Sequence, residues 1–443
     1  MRVAHLLRKY NPAEWGGTET ALQRLFEGLR PLGVAPIIFC PRGNGASATN
    51  RTGKNGDMVV PDAVERWPTT RDPLAESGYA IKTFRACVPI LGISREQRRQ
   101  MIAVGGNLMS FDLIYSLWRE PGLDVIHSHA LGRIGSIGLA LAKRRGLPFV
   151  VTIHGGALDL PPGLKVRFYQ APRLSWEWGK IFGALLRSRQ LLEKADAVLT
   201  CNPREAALLQ EKYPGHRIQV QPHGVDTALF EEDCRHEARA AFPQIGEQKV
   251  LLAAGRIDSV KNQLWLVERL PAILMKHPKA LLVLAGACTD EEFGKLLQQR
   301  IQRLGVAERV LLTGGLRPSD PSLLGLFQSA EVLLLPSISE TFGLVLLEAW
   351  AAGKPVISSR TSGASALVRD GENGWLFDLS DPQPFHMALD KILLKPELAE
   401  GLGAAGRDLA RSQYDIPVLA ERVKNLYGEL MHEKNALRNL ARR

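Results

Sequence analysis

The amino-acid sequence predicts an α/β protein built from two doubly wound Rossmann-like domains that face each other across a cleft. Short apolar runs alternate with longer amphipathic stretches from end to end, which is the rhythm of parallel strands joined by helices. This rhythm occurs twice, and 443 residues are enough for two large α/β domains. Hydrophobic residues make up 45% of the chain and charged residues 23%, which excludes disordered, collagen-like and coiled-coil proteins.

The first half of the chain contains six short apolar runs that we predict to be strands. They lie at Arg2 to Leu7, Ala35 to Phe39, Asp124 to His129, Phe149 to His154, Ala197 to Cys201 and Ile218 to Gln221. A helix from about Thr20 to Leu29 is expected between the first two strands. The irregular polar region Gly43 to Pro73 is predicted to form surface loops.

The second half repeats the pattern with six further predicted strands. They lie at Val250 to Ala254, Ala280 to Leu284, Arg309 to Leu312, Val332 to Leu335, Val356 to Ser358 and Trp375 to Phe377. The segment His223 to Asp226 leads into a charged stretch, so we place the hinge there. The predicted domains are residues 1–222 and 223–415, and ligands of such sheets bind at the carboxyl ends of strands.

Charge and cysteine content narrow the class of protein. The formal net charge of +10 favours anionic partners such as nucleotides, phosphorylated lipids or a membrane surface. Zinc-finger spacings and dense basic blocks are missing from the sequence, so nucleic acid is not an expected partner. Five scattered cysteines fit a reducing compartment, and neither a signal peptide nor a membrane span is apparent, so we expect a cytoplasmic protein.

The most informative stretch runs from Ser339 to Pro355, after an apolar strand. Glu340 is expected in the loop at the strand's carboxyl edge, and Glu348 just over one turn into the following helix. The two carboxylates could accept hydrogen bonds from sugar and ribose hydroxyls. The amides expected to face a phosphate belong to Thr341, Phe342, Gly343 and Leu344. The alternative is an amphipathic helix with two solvated glutamates, and for either glutamate taken alone this alternative is favoured.

A pair of cations follows the first strand of the second half. Arg256 and Lys261 leave the same strand edge, so both could neutralise a pyrophosphate whose charge grows as a glycosidic bond breaks. The alternative is a pair of surface cations flanking a turn. Because these cations could supply the charge and the sequence contains no Asp-x-Asp motif, we expect neither a metal nor a cofactor.

The first domain contributes two further candidate segments. Gly16 and Gly17, between the first strand and its helix, would allow close backbone approach to a phosphate or sugar, although a plain turn is the alternative. His154 is expected at the carboxyl end of a strand, pointing into the cleft. His127 and His129 close the preceding strand similarly, and a metal site here would need a carboxylate that the local sequence does not supply.

Together these segments resemble glycosyltransferase family 4, whose members are retaining enzymes with the two-domain GT-B fold. The likeness covers nearly the whole chain and depends on the order of several motifs. These are the GGTE loop at Gly16 to Glu19, TIHG at Thr152 to Gly155, HGVD at His223 to Asp226, Gly255-Arg256 with Lys261, the E-x7-E pair Glu340 and Glu348, and DGENGWL at Asp370 to Leu376.

The resemblance implies transfer of a sugar from a nucleoside diphosphate sugar, UDP- or GDP-linked, to a glycan, glycolipid or other acceptor. Arg256 and Lys261 would hold the donor diphosphate and Glu348 the ribose, while Glu340 and the loop amides would hold the transferred sugar. His154 would face the sugar, and Gly16 and Gly17 would close over the phosphates. The family's last helix crosses back onto the first domain, a role assigned here to residues 416–443.

Two departures from the family pattern keep other functions open. His223 stands where the family often has Asn, and Ala366 stands where it usually has an acid. The alternatives are a non-catalytic sugar-nucleotide-binding subunit of a polysaccharide-synthesis complex and a GT-B sugar-nucleotide epimerase. The donor sugar and acceptor would be selected by loops such as Gly43 to Pro73 and Pro161 to Arg173.

One segment suggests a membrane partner. Leu164 to Arg189 mixes six Lys and Arg residues with five aromatic residues, a composition suited to an anionic lipid surface. A helix with one buried face and a basic outer side is the alternative. The hypothesis is peripheral contact with the inner face of the membrane.

Overall fold

The computed structural model describes residues 1–10, 16–42, 73–103, 108–155 and 177–442. The described residues form two compact units. The first contains those up to Pro222 together with those from Leu419 onward, and the second runs from His223 to Val418. Within the described ranges, every helix is too short or too polar to cross a bilayer. Nearly all of the predicted loop Gly43 to Pro73, and all of Pro161 to Arg173, lie outside these ranges.

The first unit is built on a seven-stranded parallel sheet in the order β3-β2-β1-β4-β5-β6-β7. Six of these strands were predicted, each with ends within two residues of those observed. The strands are β1 (Arg2–Leu6), β2 (Ala35–Pro41), β3 (Ala80–Phe84), β4 (Val125–Ser128), β5 (Phe149–Ile153), β6 (Ala197–Thr200) and β7 (Ile218–Val220).

Strand β3 was missed because it is an edge strand with an exposed, mixed sequence. Only Phe84 of its five residues is buried, so no apolar run identifies it. Lys82 and Arg2 both form ion pairs with the buried carboxylate of Glu120. Of these two cations only Lys82 lies on the edge strand, where a charged side chain disfavours pairing with other chains.

Helices cover both faces of this sheet. They are α1 (Gly17–Leu29), α2 (Pro73–Glu76), α3 (Arg95–Ala103), α4 (Asp112–Arg119), α5 (Gly132–Arg145), α6 (Gly179–Leu185), α7 (Leu191–Lys194), α8 (Pro203–Lys212) and, last in the chain, α17 (Ile416–Arg442). The glycines of α5 allow this helix to pack closely against its neighbours. A β-carbon on Gly135 would lie 2.2 Å from the carbonyl oxygen of Ala130, and one on Gly138 would lie 2.5 Å from Leu6.

The last helix packs into the core of the first unit. Ala420, Val423, Leu426, Tyr427 and Leu430 are buried against one face of the sheet. Their spacing of three and four residues places them on one side of α17, which is the apolar stripe expected of a helix that covers a sheet. The partners of this stripe are Val3, Leu29, Val34, Val125, Val150, Ala197 and Leu199.

The second unit contains a six-stranded parallel sheet in the order β10-β9-β8-β11-β12-β13. All six strands were predicted. They are β8 (Lys249–Ala254), β9 (Ala280–Ala285), β10 (Val310–Gly314), β11 (Ala330–Leu335), β12 (Val356–Ser359) and β13 (Gly374–Phe377). The helices are α9 (Arg235–Ala241), α10 (Gln263–Lys276), α11 (Glu291–Arg303), α12 (Pro321–Ser329), α13 (Leu344–Ala351), α14 (Ser362–Leu367), α15 (Gln383–Leu394) and α16 (Pro396–Leu409).

Strand order reverses once in each sheet, and these reversals locate the candidate sites. In the first unit β1 lies beside β4, and in the second β8 lies beside β11. Loops diverge from such a pair at the carboxyl ends of the strands and leave a crevice there. The predicted doubly wound α/β topology is therefore confirmed for both units.

Candidate active site

The loop after β8 carries the two predicted cations. Gly255 has φ +132, a conformation that disfavours other residues, and it turns the chain at the strand end. The side-chain amide of Gln263 donates to the carbonyl oxygen of Arg256 at 2.8 Å. The guanidinium of Arg256 remains half exposed. The loop backbone is therefore held while a cationic side chain stays accessible.

Asp258 organises this loop, and sequence reasoning did not identify it. Its Oδ1 accepts hydrogen bonds from the amides of Val260 at 3.0 Å and Lys261 at 2.9 Å. Its Oδ2 lies 3.2 Å from Nη2 of Arg256, and the residue is 7% exposed. One buried carboxylate thus fixes the backbone at Lys261 and pairs with Arg256. A local Asp-x-x-Lys spacing is the sequence signal that could have suggested it.

Lys261 and Glu340 come together across the strand reversal. Nζ of Lys261 donates to the carboxylate of Glu340, and both side chains are mostly buried. The amide of Ile338 also donates to the carbonyl oxygen of Val260 at 2.8 Å. The loops after β8 and β11 are therefore tied by both backbone and side chains, and two predicted site residues lie in direct contact.

The segment after Glu340 leads into the start of α13. Gly343 has φ +94 and forms the N-cap, so the helix begins at Leu344. The amide of Gly363 donates to the carbonyl oxygen of Glu340 at 2.8 Å, and a β-carbon on Gly363 would lie 2.4 Å from the amide nitrogen of Phe342. Glycine is therefore required at position 363 for the start of α14 to pack on this loop.

The other predicted donor-site residues of the second unit lie on this same segment. Thr341 is half-buried, whereas Phe342 is buried with its ring 5.0 Å from that of His223. Glu348 lies half-buried in α13. Ala366, the departure from the family pattern, is exposed on α14.

The glycine pair of the first unit stands at the start of α1. The amide of Gly16 donates to the carboxylate of Glu19 at 3.1 Å, and Gly17 is the exposed first residue of the helix. Burial raises the pKa of Glu19, opposed by backbone hydrogen bonds and by the charges of Lys9 and Arg8. The GGTE motif therefore includes its own helix cap, which sequence reasoning did not assign. Residues 11–15, before this pair, lie outside the described ranges.

Histidines cluster at the strand reversal of the first unit. His154 follows β5, and its Nε2 lies 2.9 Å from Nδ1 of His129, which follows β4. Nε2 of His129 lies 3.0 Å from Nδ1 of His5 in β1. The prediction grouped His154 with His127 and His129, and the structure adds His5, whose position in the first strand gave no local signal.

His127 makes different contacts from its neighbours. Its Nδ1 lies 2.5 Å from the hydroxyl oxygen of Tyr427, and its Nε2 lies 2.6 Å from Oγ1 of Thr152. Ligand atoms of His5, His127 and His129 all lie within 4.8 Å of one another. Because both nitrogens of His127 are already bonded to protein groups, a metal could bind it only by breaking one of these bonds.

A cavity of about 410 Å³ lies at the opposite edge of the second sheet. Its lining includes Arg235, Arg239, Lys249, Lys279 and Lys354. This edge is where the helices end, and their last carbonyl groups attract cations. Lys249, for example, donates to the carbonyl oxygen of Leu393 at 2.8 Å, at the end of α15. Lys249 therefore serves the end of a helix, whereas Arg235 is the first residue of α9 and pairs with Asp233, and the cavity lies at the edge opposite the candidate active site.

Two family models match the chain, one in each half. The model described as Glycosyltransferase Family 4 matches residues 15–229, and the model described as Glycosyl transferases group 1 matches residues 235–409. Together they span both units. The motifs that suggested this family lie within the two matches.

Similar proteins agree with these matches. The D-inositol 3-phosphate glycosyltransferase of Acidothermus cellulolyticus is 32% identical over 64% of this chain and 63% of its own length, so the chain spans just under two thirds of that relative. The enzyme of the same name from Corynebacterium urealyticum is 29% identical over 89% of this chain and 87% of its own. The crystal structure of Anabaena HepE with UDP and glucose has a TM-score of 0.67 and 18% identity, covering 97% of this chain and 99% of that one. This last likeness supports the GT-B fold.

Proposed function

Since the chain belongs to glycosyltransferase family 4, we propose that it transfers a sugar from a UDP- or GDP-sugar to a hydroxyl acceptor with retention at the anomeric carbon. The observation that carries the proposal is the contact between Lys261 and Glu340, beside Arg256, at the strand reversal of the second unit. This is the edge at which doubly wound sheets bind nucleotides.

Stabilising the leaving nucleoside diphosphate is the main chemical task. Arg256 offers a half-exposed guanidinium, which can bind two phosphate oxygens at once. Lys261 has three N–H donors, of which Glu340 accepts one, so the ammonium can also reach a phosphate oxygen. Two fixed cations would therefore offset the charge that develops on the diphosphate as the glycosidic bond breaks.

The start of α13 provides the remaining donor contacts. A helix N-terminus carries unpaired amides and a positive dipole end, which favour an anion near Gly343 and Leu344. We assign Glu348 to the ribose hydroxyls and Glu340, with the amides of Thr341 and Phe342, to the transferred sugar.

Retention is proposed without an enzyme nucleophile. The bond from the anomeric carbon to the leaving phosphate oxygen breaks as the acceptor oxygen attacks the same face, and that phosphate oxygen receives the acceptor proton. Glu340 is bonded to Lys261, so it is suited to positioning and electrostatic stabilisation rather than covalent attack. We further propose metal independence, because Arg256 and Lys261 carry the positive charge that a metal would otherwise supply.

The first unit is proposed to supply His154 to the transferred sugar. Its ring is half-buried and held by His129 at 2.9 Å. Of the two predicted glycines, Gly17 is the better candidate for backbone contact with donor phosphate, since the amide of Gly16 is bonded to Glu19.

A donor panel tests the proposal. Purified wild type and Glu340→Ala would be incubated with UDP-, GDP- and ADP-sugars, with and without lipid, glycan or D-inositol 3-phosphate as acceptor, and nucleoside diphosphate release would be measured. Wild type, but not Glu340→Ala, is expected to release nucleoside diphosphate, and one of the acceptors is expected to increase that release. Nucleotide binding without release across the panel would instead favour a binding subunit, and conversion of the donor sugar without acceptor would favour an epimerase.

We also propose a peripheral contact with anionic membrane through an aromatic surface on α4 and α6 of the first unit. This surface consists of Phe111, Ile114, Tyr115, Trp118, Ile181 and Leu185, all exposed. The guanidinium of Arg119 lies 4.4 Å from the ring centre of Tyr115. Exposed aromatic and aliphatic side chains beside cations suit the boundary between acyl chains and anionic headgroups. The predicted segment Leu164 to Arg189 contributes its α6 part, while residues 164–176 lie outside the described ranges.

Vesicle flotation tests this contact. Wild type is expected to float with vesicles containing phosphatidylglycerol and to remain behind with pure phosphatidylcholine. Trp118→Ala combined with Ile181→Ser should lose flotation, while Leu296→Ser, an exposed apolar position in the second unit, should keep it. Equal behaviour of wild type and the aromatic-surface variant would overturn the proposal.

A further inference from the structure

The cavity at the starts of the strands of the second sheet concentrates positive charge. Its volume of about 410 Å³ is in the range of small-molecule sites. Two of its lining residues are acidic, Glu247 and Glu331. Five carry cationic side chains, namely Arg235, Arg239, Lys249, Lys279 and Lys354. The lining therefore carries a net positive charge, which favours an anionic ligand.

Strand order explains why the three lysines meet. Lys279 immediately precedes β9, Lys249 is the first residue of β8, and Lys354 lies two residues before β12. The strands β9, β8, β11 and β12 are consecutive in the sheet and parallel, so their starts form one edge. The lysines are therefore arranged along this edge, with only the start of β11 between Lys249 and Lys354.

Helix α9 places two arginines at the same cavity. It packs closely on α12, the helix that leads into β11, because a β-carbon on Gly325 of α12 would lie 1.8 Å from the carbonyl oxygen of Cys234. The amide of Cys234 also donates to the side chain of Gln328 at 2.7 Å. Arg235 and Arg239 are four residues apart on α9, which places both on one face of the helix. The packing of α9 on α12 thus fixes where these arginines stand.

Three of the five cations have no counter-ion in the part of the chain that the structure describes. Lys249 donates to a helix carbonyl group, and Arg235 pairs with Asp233. The other three form neither an ion pair nor a side-chain hydrogen bond with any described residue, and they are Arg239, Lys279 and Lys354. Neither helix ends nor carboxylates therefore account for these three side chains.

Lys354 shows how unfavourable this arrangement is for the protein alone. The residue is half-buried. Burial lowers the pKa of Lys354, and the guanidiniums of Arg235 and Arg407 lower it further. The carboxylates of Glu331 and Glu400 oppose this shift. An anion in the cavity would stabilise the charged form of the ammonium.

A neutral donor without a partner lies at the same cavity. Ser329, the last residue of α12, is part of the lining. Its hydroxyl oxygen is buried and has no hydrogen-bond partner among the described residues. Buried hydroxyl groups are normally bonded, and a hydroxyl can donate to a phosphate oxygen. The cavity thus combines an unused hydroxyl with three cations that lack counter-ions.

We propose that this cavity binds a small soluble anion that carries one or more phosphate groups. The guanidinium of Arg239 can bind two phosphate oxygens at once, and the ammonium groups of Lys279 and Lys354 offset the remaining charge. A phosphate monoester carries up to about two negative charges at neutral pH, which suits three cations without counter-ions. The site is separate from the proposed diphosphate site, because it lies at the opposite edge of the sheet.

Calorimetric titration of the full chain tests the site, with inorganic phosphate, pyrophosphate and phosphoenolpyruvate as probes at constant ionic strength. Wild type is expected to bind at least one probe, and comparison of the three distinguishes inorganic from organic phosphate. Lys354→Met and Arg239→Met should each weaken this binding by about tenfold, the scale of a lost charged hydrogen bond. Lys295→Met removes the same charge from an exposed position of α11 outside the cavity and should stay within about twofold of wild type.

The proposed diphosphate site could bind the same probes, so Arg256→Met separates the two sites. Binding at the cavity should persist in Arg256→Met and be weakened in Lys354→Met. Binding that is lost in Arg256→Met but unchanged in Lys354→Met and Arg239→Met would overturn the cavity site, as would no binding of any probe by wild type. The expected pattern in a protein that transfers no sugar would count against the proposed function alone.

Nuclear magnetic resonance of lysines dimethylated with isotope-labelled methyl groups gives a local measurement. Dimethylation keeps the positive charge, and the signal of Lys354 is the one lost in Lys354→Met. Pyrophosphate should raise the pKa of Lys354, because a bound anion favours the charged ammonium, and should leave the signal of Lys295 unchanged. A pKa of Lys354 that does not respond to pyrophosphate, in protein that binds pyrophosphate by calorimetry, would overturn the assignment of the anion to this cavity.

Discussion

The ammonium of Lys261 donates to the carboxylate of Glu340, joining the loops that follow two adjacent strands of the second unit. Removal of either partner leaves a charge in a mostly buried position. We expect Lys261→Met and Glu340→Gln each to lower kcat/KM by about a hundredfold, the scale of a lost transition-state contact.

Because the two side chains touch, their effects should not add. Steady-state kinetics of the single and double variants forms the test, and the double variant is expected to be less impaired than the product of the single effects. Glu372→Gln is the matched control, since its ion pair with Arg369 is exposed. Full additivity of the two substitutions would show that the contact has no role in turnover.

Asp258→Asn should weaken donor binding and destabilise the second unit, although Asp258 is not proposed to touch the donor. The carboxylate accepts from two backbone amides and pairs with Arg256. An asparagine in the same place can keep some amide contacts but loses the charge. We expect a loss of about 1–3 kcal/mol of stability.

Urea unfolding of the variant, together with calorimetric titration of UDP and GDP, measures both effects. Asp233→Asn serves as the control, because its ion pair with Arg235 is exposed and should leave stability and nucleotide binding unchanged. Nucleotide affinity equal to that of wild type in Asp258→Asn would contradict the assignment of Arg256 and Lys261 to the diphosphate.

Turnover should not require a divalent metal. Arg256 and Lys261 provide fixed positive charge at the proposed diphosphate site, so chelation should leave the rate of nucleotide release within about twofold of the untreated enzyme. The measurement is release before and after EDTA with extensive dialysis, followed by addition of magnesium or manganese. Loss of activity that either metal restores would refute metal independence.

The sheet of the second unit was predictable because most of its strands contain a short apolar run. Strands such as Ala280–Ala285 are fully buried and therefore read clearly in the sequence. Ala80–Phe84 did not, since an exposed edge strand has no such pattern. The sequence alone also does not show which residues of Ile416–Arg442 contact the sheet of the first unit.

Site residues could be predicted where they belong to one sequence motif. They could not be predicted where only the fold brings them together. Glu340, Lys261 and Arg256 follow apolar strands, so their location at a sheet edge could be inferred. Asp258 and Glu19 act through backbone amides, a role that many acidic residues in loops share. His5 meets His129 only because β1 lies beside β4, and strand order is not evident from residue types.

Acid should destabilise the first unit through its buried histidines. The pKa of His5 falls from 6.5 to about 3 on burial, and burial also lowers the pKa of His127, with further lowering by His5 and His154. Below pH 6.5 the unfolded chain binds protons that the folded unit does not, so stability is fully present above that pH and is lost as pH falls toward 3. For His5 alone, each pH unit of this window corresponds to about 1.4 kcal/mol.

Hydrogen exchange of the β1 and β4 amides at pH 4.5 and 6.5, corrected for intrinsic exchange rates, reports this change for the first unit itself. Wild type should lose protection at the lower pH, and His5→Phe should lose less, because one titrating group has been removed from the cluster. His236→Phe, at an exposed position in the second unit, should follow wild type. An equal loss of protection in wild type and His5→Phe would contradict the claim that burial lowers the pKa of His5 in the folded unit.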